Sequence, residues 1–85
     1  STEVLIDNRN SLRIYPNPVD NVLIIRSEYP IDVSILDANG KLRLTAPNIS
    51  GLQLVNVESL EKGIYILRTY NRILNTLTVD RLIKN

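Results

Sequence analysis

Apolar side chains reach the i, i+3, i+4, i+7 spacing of a helix with one buried stripe at a single place in this 85-residue chain, Tyr70, Ile73, Leu74 and Leu77. Alternation of period two recurs instead. Residues 31, 33 and 35 are Ile, Val and Ile, separated by Asp32 and Ser34, and residues 63–70 read GIYILRTY. Such alternation puts one set of side chains on a buried face and the other toward water, the pattern of antiparallel sheets. Phe, Trp, Met, Cys and His are absent, and four Tyr are the only aromatics. The core must therefore be Leu, Ile and Val, of which the β-branched members suit a pleated, half-buried surface. A chain of this size is one domain that buries about 63% of its extended surface, enough for a single modest core.

The chain divides into seven expected strands. Residues 1–10, STEVLIDNRN, read as a linker or a loosely attached first strand. Residues 11–15 are short and extended. Pro16 and Pro18 push Tyr15 and Asn17 out of the helical region, and neither proline has an N–H for a ladder, so the YPNP segment belongs at a strand end or edge. Residues 22–26 follow, with Leu23 and Ile25 on one face, then residues 31–37. Asp37-Ala38-Asn39-Gly40 reads as a type I′ hairpin turn, with Asn39 and Gly40 supplying positive φ. Residues 41–45 return with Leu42 and Leu44 inward. A loop over 47–51 leads to residues 52–57, with Val55 and Val57 on one face. Gly63 opens the strand 63–70, Asn71-Arg72 is a two-residue turn, and residues 74–84 close the chain. In this last strand Leu77, Val79 and Ile83 are expected inward, with Arg81 interrupting them unless a bulge brings Leu82 in. Seven short strands with regular turn signals predict an all-β fold, a small antiparallel β-sandwich.

Composition excludes whole classes of function. Without Cys or His there are no disulfides, thiolates, imidazole bases or the usual transition-metal ligands. No apolar run exceeds four residues, so no helix of this sequence spans a membrane. Net charge is +1, but residues 68–85 hold Arg68, Arg72, Arg81 and Lys84 against Asp80 alone. The pI of 8.0 and the sparse basic residues do not make a nucleic-acid stripe. Catalysis needs a nucleophile held beside a base. Six Ser are present with no His, and nothing in the spacing pairs one with Lys41, Lys62 or Lys84. Asp32 and Asp37 lie five apart and point to opposite faces of a regular strand, which is no glycosidase pair. Asp37-Ala38-Asn39-Gly40 matches part of a calcium loop but lacks its distal Glu, and a hairpin turn accounts for all four residues. Asn48-Ile49-Ser50 fits a glycosylation acceptor, but three-residue acceptors arise often by chance and loop polarity is the better account unless the host glycosylates. Tyr65 is expected in the core with its hydroxyl on a backbone group. Tyr15, Tyr29 and Tyr70 are the candidates for a sugar-stacking platform. No cofactor, metal or small-molecule substrate is expected.

Three pieces stand in order: LRIYPNPV at 12–19, ILDANGK at 35–41 and VNVESLEKGIYILR at 55–68, with RLIKN closing the chain. This succession resembles the type A C-terminal sorting domain of the type IX secretion system, found in certain Gram-negative bacteria, over residues 12–85. The resemblance implies an immunoglobulin-like sandwich of about seven strands and no enzymatic activity. It implies a passenger domain ahead of residue 1, joined through the linker 1–10 to a sorting domain at 11–85. The passenger would cross the periplasm, leave through the translocon with an outer-membrane shuttle protein, and reach the cell surface or the medium. A cell-surface sortase would cut the domain away, with cleavage expected in the linker. Pro16, Asn17, Pro18, Asp37, Gly40, Gly63, Tyr65 and Lys84 match the family's motif positions, and Arg81 joins them in the basic end segment. The C-terminal hairpin, residues 63–85, is the expected recognition element, docking by pairing its last strand with a partner's sheet. On this reading, deleting residues 81–85 blocks export and leaves most of the fold. The rival reading is an adhesive or carbohydrate-binding accessory module, and exposed edge strands would also permit weak self-association.

Overall fold

The computed structural model describes residues 3–7 and 12–85. They form six strands: β1 (Glu3–Asp7), β2 (Leu12–Asn17), β3 (Val22–Leu36), β4 (Leu42–Asn56), β5 (Gly63–Asn71) and β6 (Thr76–Lys84). All strand pairs are antiparallel, in the order β1-β2-β3-β5-β6, with β4 on the other side of β3. No helix occurs among the described residues. Glu3–Asp7 falls within the expected linker and pairs with β2. The remainder of the linker and Ser11 lie outside the described residues.

Four of the seven expected strands fuse in pairs, leaving five, and Glu3–Asp7 of the expected linker adds the sixth. The expected strands 22–26 and 31–37 are two parts of β3, and 41–45 and 52–57 are two parts of β4. Residues 27–30, read as a break, stay within β3 because the ladder changes partners there. Up to Ser27, β3 pairs with β2 and with the far half of β4; from Ile31 it pairs with β5 and the near half of β4. The register slips between Ser27 and Ile31, where the Ser27 hydroxyl donates to the Tyr29 carbonyl at 2.6 Å. The matching irregularity in β4 holds Pro47, Asn48 at φ 55° and Gly51 at φ 79°. Pro30 and Pro47 thus occupy irregular positions, where a missing N–H breaks no regular rung. A straight 15-residue strand would run about 50 Å, yet the molecule's longest dimension is 32 Å. The β3–β4 ribbon therefore folds over at these bulges.

Both halves of the folded ribbon contribute side chains to one core. Leu12, Ile14, Leu23 and Ile25 come from one half, and Ile31, Val33, Ile35, Tyr65, Leu67 and Leu82 from the other. The core is aliphatic as expected, with Tyr65 its one aromatic among the described residues. At roughly 25 cal/mol per Å², each fully buried Leu or Ile contributes about 1.5–3 kcal/mol.

Three local expectations change. Only Gly40 of the 37–40 turn has positive φ, at 83°, so the hairpin is a type I turn followed by a left-handed glycine, not type I′. The extra residue shifts the register between Ile35 and Leu36 and turns Leu42 outward, while Leu44 stays packed on the core. The β5–β6 loop spans residues 72–75, longer than two residues, because the Asn71 side chain caps it by accepting from the Ile73 and Leu74 amides at 3.0 and 2.9 Å. Finally, β6 runs in unbroken register with β5, so Leu82 is buried without a bulge and Leu77 and Val79 face outward.

Candidate functional site

The YPNP segment and the end of the chain meet. The Asn17 side-chain amide donates to the Arg81 carbonyl at 2.8 Å, and its Oδ1 accepts from the Ile83 amide at 3.0 Å. The Val19 amide donates to the Ile83 carbonyl at 2.8 Å, and the Asn85 amide donates to the Val19 carbonyl at 2.9 Å. The Asn85 side chain adds a bond to the Asp20 carboxylate at 3.0 Å. Val19 and Lys84 form a parallel bridge outside the main ladder. The chemistry of the segment explains this arrangement. Pro16 and Pro18 carry no N–H, so neither can extend a ladder with β6. Asn17 between them offers one donor and one acceptor on its side chain and mimics a peptide group for residues 81–83. The peptide bonds Tyr15-Pro16 and Asn17-Pro18 are cis.

Lys84 lies at the centre of this junction. Across β5 it faces Gly63, and on its other edge it faces Val19. It is 7% exposed, and its ammonium donates to the Asn85 carbonyl at 3.0 Å. Beside it, Leu82 faces Tyr65 and is fully buried. The Tyr65 hydroxyl donates to the Glu61 carbonyl at 2.6 Å, the backbone partner expected of it. Leu82 and Lys84 are therefore parts of the packed unit, and deleting residues 81–85 removes core, contrary to the expectation that most of the fold would survive. The junction also occupies the edge of β6 over residues 81–85. Strand pairing by a partner has only the stretch 76–80 left on that edge.

Pro16, Asn17, Pro18, Gly63, Tyr65, Arg81 and Lys84, which lie far apart in sequence, are thus gathered at one end of the molecule. Asp37 and Gly40 stand at the same end but outside the junction. Leu36 faces Ile66, which faces Arg81, so the turn is two strand spacings away, about 10 Å. The Asp37 carboxylate caps its own turn, accepting from the Asn39 and Lys41 amides at 2.9 Å each. The Lys41 amide, with Asn39 and Arg43 adding to it, holds the Asp37 carboxyl below the usual carboxylate range.

Sequence reasoning missed two features. One is the participation of Val19, Asp20, Ile83 and Asn85, which a strand pattern cannot show because their partners are more than sixty residues away. The other is Asp32. Arg72 grips it with two bonds, at 2.9 and 2.8 Å, and the Asn48 amide donates to the same carboxylate at 2.9 Å. This ties the β5–β6 loop and the bulge of β4 to β3. The Arg72 bond first, then the Asn48 amide, lowers the Asp32 pKa, and Asp32 in turn raises that of Arg72.

Among the described residues no three of His, Cys, Asp or Glu gather where they could hold a metal ion. A shallow hollow is lined by Asn56, Glu58 and Ser59. Tyr15 and Tyr70 lie on the outer faces of different half-ladders, opposite Ile24 and Leu77 respectively, so these two share no platform.

With this geometry in view, the family described as the secretion system C-terminal sorting domain matches residues 13–85. The chain belongs to this family. The sorting domain is a secretion signal of the type IX system and not a catalytic domain, and such a signal implies export toward the cell surface or the extracellular space. The fold resembles part of a solved structure of PorZ, described as an essential bacterial surface component of the type-IX secretion system of human oral-microbiomic Porphyromonas gingivalis. That likeness has a TM-score of 0.65 at 19% identity, covering 87% of this chain and 11% of the PorZ chain. No curated protein matches this chain.

Proposed function

We propose that this domain is a non-enzymatic address that takes a fused passenger out of the cell, and that it is read as a folded object. One observation supports this above the rest: the family match runs from residue 13 to residue 85, the same stretch that the junction between Asn17 and residues 81–85 closes into one unit. A signal whose two ends are stitched together presents itself only when complete.

On this reading the six strands are a small immunoglobulin-like sandwich in which two strands serve both layers. Residues 11–85 are the sorting domain, and residues 1–10 lead to the passenger, with Glu3–Asp7 resting on β2. The passenger crosses the periplasm, engages the translocon and its shuttle protein, and is parted from the sorting domain by a surface sortase cutting in residues 1–10. Pro16, Asn17, Pro18, Gly63 and Lys84 act by building the terminal junction; Asp37 and Gly40 act by shaping the β3–β4 turn. The test is fusion of the 85-residue chain behind a periplasmic reporter in a host with this system. A reporter found outside supports the reading, and a reporter held in the periplasm refutes it.

A further inference from the structure

The outer face of the half-ladder containing β5 and β6 is apolar where an antiparallel sheet facing water turns polar side chains outward. Side chains that alternate with the buried Tyr65, Leu67 and Leu82 point away from the core. Register places Ile64 beside Ile83, Arg68 beside Val79 and Tyr70 beside Leu77 on that outer face. Ile64 is 56% exposed, Leu77 55% and Val79 60%. The row through Ile66 continues onto Leu36 of β3, which is buried, and the exposed Leu42 of β4.

Two cations sit in this field. Arg68 and Arg81 are exposed, and the ion pairs formed among the described residues join Arg43 to Asp37 and Arg72 to Asp32 instead. Asp32, the acid on this face, is already held by both prongs of Arg72. Three occupants are conceivable for such a surface, and charge separates them. A second copy stacked face to face would set arginines against arginines. Anchoring to an anionic membrane takes a cluster of about four to eight basic residues, and this face has two outside the Arg72–Asp32 pair. A protein surface with an apolar centre and carboxylates at its rim satisfies both the isoleucine and valine pairs and the two guanidiniums, which take carboxylates in fork geometry. The face measures about 30 Å by 15 Å, or roughly 450 Å², below the roughly 800 Å² per partner of a standard stable interface and suited to transient contact.

We propose that this outer face docks an acid-rimmed apolar surface on a protein of the export apparatus, with Arg68 and Arg81 each opposite a carboxylate; this rests on the export reading above. Recognition is by the face of the last hairpin. The edge at residues 81–85 is closed by Asn17 and Val19.

The experiment uses the 85-residue chain behind a periplasmic reporter in a type IX host and measures the rate at which reporter leaves the cell. If the unaltered fusion stays inside, the export reading fails, separately from this proposal. With the unaltered fusion exported, Leu77→Thr with Val79→Thr, and Arg68→Glu with Arg81→Glu, are each expected to slow export about tenfold or more. Arg68→Lys with Arg81→Lys should keep most of it. Leu52→Thr with Leu54→Thr, on the outer face of the other half-ladder, should leave it unchanged. Thermal unfolding of each purified variant checks the fold, and Ile64→Thr replaces any threonine variant that is destabilised. Unchanged export in both outer-face pairs, equal loss in the Leu52 and Leu54 pair, or indifference to charge reversal alone would each overturn the proposal. Two further results would also overturn it, by naming another occupant. One is binding to phosphatidylglycerol vesicles that is lost with Arg68→Glu and Arg81→Glu. The other is a dimer in sedimentation that Leu77→Thr with Val79→Thr abolishes.

Discussion

Replacing Asn17 with Ala tests whether the terminal junction holds the fold together. The change removes a donor to the Arg81 carbonyl and an acceptor for the Ile83 amide. Each such bond contributes about 1 kcal/mol net, and the half-buried Ile83 amide is left without its acceptor, so the loss should be about 2–3 kcal/mol. For 85 residues the unfolding entropy near the midpoint is about 0.18 kcal/mol/K, which converts that loss into a fall in Tm of about 11–17 °C. Asn17→Asp should recover little. It keeps an acceptor for Ile83 but sets an oxygen against the Arg81 carbonyl oxygen. Circular dichroism gives the Tm, and amide exchange reports the Ile83 N–H directly. A Tm within about 3 °C of the parent, with Ile83 still protected, would refute the claim that Asn17 acts as the clamp.

Deleting residues 81–85 should unfold the domain, because it removes the buried Leu82 and half of the junction; a well-dispersed NMR spectrum of the shortened chain would contradict this. Leu82→Ala, which spares the backbone bonds, should cost about 2–5 kcal/mol by urea unfolding. Gly40→Ala should cost about 1–2 kcal/mol. No atom lies within 4 Å of the added Cβ, so the penalty is the left-handed backbone alone. The folded Asp32 carboxyl sits below its ordinary pKa, so the stability it contributes is full above the unfolded value near 4 and is lost as pH falls through the folded one. Asp32→Asn should accordingly flatten the acid limb of a stability–pH profile, and an unchanged limb would remove Asp32 from the account.

The fold class was legible because period two in residues 31–37 and 63–70 reflects burial on one face, which local sequence carries. Turn positions were legible for the same reason, since Gly40 and Asn71 act within a few residues of themselves. Strand number was not. Ser27 to Pro30 has the look of a break, and only the exchange of partners across β3, from β2 to β5, shows that the backbone continues through it. The inner face of β6 was misread because Leu77 and Val79 look like core by hydrophobicity. Their outward placement follows from register with β5, which a single strand does not encode. Of the candidate site, the sequence names residues but cannot show which of them meet. Pro16, Asn17 and Pro18 end a strand on any reading, but that Asn17 reaches Arg81 and Ile83 depends on how the ribbon folds over.

The most direct measurement follows a reporter joined to this chain in two matched strains, one with a working type IX system and one without, by protease accessibility on intact cells. The account predicts a reporter open to protease in the first strain and shielded in the second. Equal exposure in both, or shielding in both, would contradict it.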